Sequence, residues 1–163
     1  MNFKGQSALI CGAGGGIGLA VANQLITRGL NVAIADLKDQ PADLADGPGQ
    51  VCYFQGDLSN ENFVRSIVEQ TVAELGGIHY LVNTTGVLWF DRDASVVDME
   101  MDVWDQVFAI NLKSFVLTAR HVVPHMRAQG GGAMVHISSI DALRGDNAPQ
   151  DAYGAAKAGV IRL

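Results

Sequence analysis

The sequence predicts an α/β protein built on a doubly wound parallel sheet. Two observations carry this. Short β-rich runs alternate along the chain with longer stretches of helical period, the pattern of strands joined by crossover helices. A glycine-dense turn, "CGAGGGIG", also joins the first β-rich run to the first helical stretch, as in sheets that hold a ligand at their strand ends.

The elements follow in order. "SALIC" (7–11) reads as the first strand, and a helix from about Ile17 to Arg28 follows, with Ile17, Val21 and Leu25 on one face and Gly29 as its stop. "NVAIAD" (31–36) is the second strand, and the polar, Pro- and Gly-containing stretch 37–50 reads as a loop with a short helical turn. "VCYFQ" (51–55) is the third strand. The next helix carries Val64, Ile67, Val68, Val72 and Leu75 and ends at Gly76 and Gly77. "IHYLVN" (78–83) is the fourth strand. A long helix from about Val103 to Ala128 then leads through Gly130–Gly132 to a fifth strand, "AMVHIS" (133–138). Each strand is expected to be followed by a helix or the start of one. Right-handed crossovers give the order 3-2-1-4-5, in which the fifth strand is an edge unless further chain covers it.

Bulk properties narrow the function classes. A length of 163 residues reads as one domain, and 48% hydrophobic with 17% charged residues describes a folded globular chain. A net charge of −6 gives phosphate polyanions no reason to bind, so neither nucleic acid nor an anionic membrane surface is an expected partner. With no membrane-length apolar run and no signal-like start, the expected location is cytoplasmic. Cys11 and Cys52 lie in apolar strand-like runs and read as buried thiols in a reducing compartment.

The chemistry collects at the strand ends. Gly12, Gly16 and Gly18 allow unusual dihedrals and close approach of a ligand, and the free N–H groups of the helix start attract phosphate. Asp36 ends the second strand, where a dinucleotide-binding fold places a carboxylate against the adenosine ribose; it repels a 2′-phosphate and so points to NAD rather than NADP. Tyr153 and Lys157 are four apart in a helix-favouring stretch, so an ammonium lies one turn from a phenol. A phenol has a pKa of about 10 unaided, and a nearby ammonium makes it a usable acid/base at neutral pH. By themselves the two residues also fit an ordinary helix-surface pair.

In their order and setting these residues resemble the short-chain dehydrogenase/reductase family, whose domain is a Rossmann fold, over essentially the whole chain. Gly12, Gly16 and Gly18 match its glycine turn, Asp57 its adenine-side aspartate, and Asn83 with Gly86 most of its Asn-Asn-Ala-Gly strand end. "ISS" before "YGAAK" matches its Ser and Tyr-x-x-x-Lys set. The resemblance implies a catalytic group of Asn111, Ser139, Tyr153 and Lys157. It implies cofactor contacts from Gly12, Gly16, Ile17, Gly18, Asp36, Asp57, Leu58, Asn83, Gly86, Tyr153 and Lys157, and NAD as cofactor. It further implies that Lys157 grips the nicotinamide-side ribose, that Asn111 holds a water in the proton path, and that the protein is a homodimer or homotetramer acting on a small alcohol or carbonyl compound.

The sequence departs from the family pattern in places. Cys11 stands for the usual threonine, "NTTG" replaces Asn-Asn-Ala-Gly, and the gap from Ser139 to Tyr153 is one residue longer than common, with Ser138 the alternative if the strand end is shifted. Family members continue with further strands that form much of the substrate pocket, so the chain reads as the N-terminal portion of such an enzyme. The rival reading is a non-catalytic NAD(H)-binding or interaction domain. No metal site is expected: His121 and His125 share a helix but lack a third ligand pattern, and His79 and His136 read as satisfied strand histidines.

Overall fold

The computed structural model describes residue 3, residues 5–145 and residues 147–163. Five parallel strands, β1 (Ser7–Cys11), β2 (Asn31–Asp36), β3 (Val51–Gln55), β4 (Tyr80–Asn83) and β5 (Ala133–His136), form one sheet in the order β3-β2-β1-β4-β5. Alternating side chains of each strand go to opposite faces. Leu9 and Cys11 of β1, Ala33 and Ala35 of β2 and Leu81 of β4 meet helices α2 (Glu61–Leu75) and α4 (Ser114–Ala128) on one side. Ala8, Ile10, Val32, Ile34 and Val82 meet helix α1 (Gly16–Thr27) on the other. Both faces are covered, which is why the central strands read as continuous apolar runs.

The β2–β3 connection, 37–50, contains no helix, against the expectation of a helical element after each strand. Gly47 and Gly49 lie so close to the Ile26 and Leu30 carbonyls that a Cβ at either would overlap them, so this segment packs flat on the C-terminal end of α1. The inner face of α1 also differs from the expected one. Gly18, Ala22 and Ile26 are buried, whereas Ile17 is 61% exposed. Cys52 is only half-buried, and its thiol donates to Glu74 Oε2 at 2.9 Å; burial, then this carboxylate, push it up to about 12.

The long fourth-connection helix is not continuous. α3 (Met101–Phe108) passes through a π-helical turn, Ala109–Lys113, into α4. Asn111 occupies that turn, and its Nδ2 donates to the Val107 carbonyl at 3.1 Å. The last helix, α5 (Asp151–Arg162), packs on α3 through Ala152, Ala156, Val103 and Val107. β5 pairs with β4 alone among the described strands, and its Met134 and Val135 are exposed. No described helix is long and apolar enough to cross a membrane.

Candidate active site

The C-terminal ends of β1, β2 and β4 open on a cleft of about 670 Å³, at the point where the strand order reverses. Gly12, Gly16, Ile17, Gly18, Asp36, Asp57, Leu58 and Gly86 all line it, so eight of the residues singled out from sequence converge there. The glycines are required in two ways. Gly12 has φ +84°, and a Cβ on it would lie 2.5 Å from Thr85 N; a Cβ on Gly18 would lie 2.5 Å from Thr84 Oγ1 and overlap the Gly12 carbonyl. The turn therefore packs directly on the end of β4. The hydroxyl of Thr84 strengthens this junction, with Cys11 O and Gly12 O both 2.9 Å away.

Asp36 accepts from Gly14 N at 2.7 Å and Lys38 N at 2.9 Å, which fixes its carboxylate on the cleft wall. Asp57 accepts from the amide and the hydroxyl of Ser59, both at 2.8 Å. The N-terminus of α1 has no side-chain cap and no acidic residue in its first turn, so its amides and dipole face the cleft uncompensated. Around Gly15 and Gly16 a Cβ would meet nothing within 4 Å. Thr85, on the same wall, has a buried hydroxyl with no partner. A space of this size, with phosphate-seeking amides at one place and an orphaned hydroxyl and a fixed carboxylate at others, fits a dinucleotide.

Lys157 lies next to this cleft. It is 3% exposed, and its Nζ donates to Ile137 O at 3.0 Å and to Thr85 O at 3.4 Å. Burial lowers its pKa to about 8. The same ammonium is 5.9 Å from the Tyr153 ring centroid and 4.9 Å from that of Phe115. Tyr153 itself packs with Trp89 against the α3–α5 cluster. Ser139 caps the short 3-10 turn Ile140–Ala142, its hydroxyl donating to Asp141 Oδ2 at 3.1 Å and accepting from Asp141 N at 3.2 Å. Ser138 is committed elsewhere, donating to the Lys157 carbonyl at 2.7 Å. Of the two serines, Ser139 is the one not bonded to the backbone of α5. Asp146, in the polar loop before α5, lies outside the described residues.

The two asparagines singled out from sequence are buried outside the cleft lining. Asn83 is 1% exposed and does not line the cleft. It exchanges hydrogen bonds with Thr118 of α4 and contacts His136 Nδ1 at 3.1 Å, so it ties β4 to α4 and β5. Burial lowers the pKa of the His136 ring. Asn111, fully buried, clamps the segment after β4, accepting from Val87 N at 3.0 Å and donating to Val87 O at 3.1 Å. Both its N–H groups are thus engaged.

Sequence reasoning missed Val87, Lys38, Gln106, Ala109 and Ile110 on the cleft wall. Gln106, Ala109 and Ile110 share one helical face at i, i+3 and i+4, a usable signal once Asn111 is suspected. His121 is paired with Glu61 at 3.2 Å and His79 accepts from Ser7 N at 3.1 Å. Among the described residues no three His, Cys, Asp or Glu side chains are grouped to hold a metal.

The parallel sheet thus carries an open cleft at its switch point, with a lysine and a tyrosine on one helix beside it. The chain belongs to the short chain dehydrogenase family, whose model matches residues 6–163. It is 35% identical to a 3-oxoacyl-(acyl-carrier-protein) reductase of Thermotoga maritima, over 100% of this chain and 67% of that one. It is 33% identical to cis-4-hydroxycyclohexanecarboxylate dehydrogenase of Sinomonas cyclohexanicum, over 99% and 65%. The solved structure of levodione reductase superposes with a TM-score of 0.86 at 27% identity, covering 97% of this chain and 63% of that chain. The chain spans 59% to 67% of the length of the curated relatives it matches.

Proposed function

We propose that the whole protein is an NAD-dependent oxidoreductase that interconverts a secondary alcohol and a ketone, with Tyr153 as its general acid/base. The observation that carries this is Lys157: a buried ammonium held by two main-chain carbonyls, on the helix face of Tyr153 and at the edge of the nucleotide cleft. A protein gains no stability from such a charge, so its presence argues for use.

When bound in the cleft, NAD+ would accept the hydride in oxidation and NADH would donate it in reduction. The side chains manage the proton. Tyr153 takes the hydroxyl proton of the alcohol on its phenolate oxygen, or returns it to the ketone oxygen. Lys157 favours the negative charge on that oxygen, and the Ser139 hydroxyl, turned from Asp141 Oδ2, donates to the same substrate oxygen. Lys157, adjoining Thr85 and Gly86, is also positioned for the ribose on the nicotinamide side. The α1 amides and the glycine turn take the pyrophosphate, and Asp36 and Asp57 take the adenosine end. Asn111, whose donors are spent on Val87 and Val107, holds the wall after β4 and has one lone pair of its amide oxygen left for a water. We read the chain as a single domain and the protein as a homodimer or homotetramer. The exposed Met101, Val116 and Ile161 on α3, α4 and α5 support that assembly, and a single monomer boundary in sedimentation at micromolar concentration would end it.

The test is an NAD-reduction screen of the full-length protein. cis-4-Hydroxycyclohexanecarboxylate and a 7α-hydroxysteroid head the alcohol panel, because relatives act on them by name. Tyr153→Phe should abolish turnover while NADH still binds, and NADH should bind at least about tenfold more tightly than NADPH, because the 2′-phosphate would face Asp36. Unchanged turnover in Y153F removes the role of Tyr153. Binding of NADH without turnover in the wild-type protein would instead favour a non-catalytic binding domain.

A further inference from the structure

We propose that Asp93 is the positioning residue of Tyr153, a carboxylate that caps the catalytic helix from a distant loop; the inference rests on the acid/base role proposed above. A helix leaves its first amides without partners, and the residue at the cap normally supplies an oxygen to them. In α5 the cap residue is Gln150, whose side chain makes no such bond. The oxygens come instead from 59 residues away. Asp93 Oδ1 accepts from Ala152 N at 3.1 Å, and Asp93 Oδ2 accepts from Tyr153 N at 2.9 Å.

Three features make this more than a surface cap. Asp93 is 3% exposed, so a charge has been taken out of water to satisfy these two amides. The contact is also reciprocal: Asp151 Oδ2 accepts from Val96 N at 2.8 Å, and Asp151 N donates to Ala94 O at 3.3 Å, so the loop and the first turn of α5 hold each other. Finally, the same loop starts at Val87, which Asn111 clamps, and passes through Trp89, which packs in one cluster with Tyr153. The backbone of Tyr153 is therefore fixed to the segment that also forms the cleft wall.

Tyr153 lies in the first turn of α5, where a lost cap lets a helix fray. Lys157 lies a turn deeper and is held by the Ile137 and Thr85 carbonyls. Removing Asp93 should thus displace the phenol and leave the lysine and the nucleotide site in place, a separation that general destabilisation does not produce.

The experiment compares wild type, Asp93→Ala, Asp93→Asn and Tyr153→Phe in the full-length protein. Amide hydrogen exchange is read without substrate, NADH affinity by fluorescence, and kcat with the best alcohol of the panel above. D93A should speed exchange at Ala152 and Tyr153 by about tenfold or more, with Lys157 to Val160 unchanged. Its kcat should fall roughly 10- to 100-fold, as a misplacement of about 1 Å implies, with NADH affinity within about twofold of wild type. D93N keeps one acceptor oxygen and should recover part of kcat. Wild-type kcat in D93A beside a dead Y153F overturns the inference and spares the proposed function. Parallel losses of kcat and NADH affinity overturn it too. If Y153F keeps its activity, the role of Tyr153 fails, while the exchange data still decide whether Asp93 anchors the helix.

Discussion

Replacing Lys157 by methionine should change the pH dependence of stability in a direction the burial of this side chain dictates. The folded state holds the ammonium at a pKa of about 8, against an ordinary value of 10.5, because burial disfavours the charge. Between those values the unfolded chain binds more protons than the folded one, so the unfolding free energy of the wild type gains a term that rises with pH. Below about pH 8 the penalty is fully present, and above about 10.5 it is gone. At about 1.4 kcal/mol per pH unit, the term amounts to roughly 3 kcal/mol. Methionine has a similar length and no charge, so Lys157→Met removes this term. It also strips the Ile137 and Thr85 carbonyls of a donor, at a cost of about 1–3 kcal/mol that does not vary with pH. The diagnostic quantity is therefore the difference between variant and wild type across pH, not its sign at one pH. Urea unfolding at pH 7 and pH 10 should find the variant better off by about 2–3 kcal/mol at the lower pH relative to the higher. Cys52, raised to about 12, weakens both proteins equally at alkaline pH and cancels in the comparison. A difference that stays constant across this window would refute the claim that Lys157 is a costly buried charge.

Thr85→Val removes a buried hydroxyl that has no partner, so the ligand-free protein should gain about 1 kcal/mol while NADH binding weakens several-fold; opposite signs in melting and fluorescence titration are expected, and a loss in both would remove the hydroxyl from the cofactor site. Asn111→Leu orphans the Val87 amide and two carbonyls, Val87 O and Val107 O, and should cost about 2–4 kcal/mol in urea unfolding; a near-neutral variant would mean the clamp on the cleft wall is dispensable.

Much of the fold was legible because its signals are local. "SALIC", "NVAIAD" and "VCYFQ" become strands with the bounds the sequence suggests, and Gly76, at φ +79°, ends α2 where a left-handed residue is needed. The π turn at Ala109–Lys113 was hidden, because the hydrophobic period runs through it without a break. The missing helix between β2 and β3 was hidden for a related reason: flat packing on α1, not local propensity, shapes that segment.

The site divides in the same way. The glycine turn, Asp36 at the end of β2 and the i, i+4 spacing of Tyr153 and Lys157 are properties of short stretches, so the sequence alone located the cleft and the helix beside it. Only the tertiary structure decided that Asn83 is bonded to Thr118 of α4 and His136 of β5. It also decided that Thr84 stitches the glycine turn to β4, and that an aspartate 59 residues away caps the helix of Tyr153. These bonds join residues far apart in the chain, and a buried polar group's partner is chosen by which surfaces packing brings together.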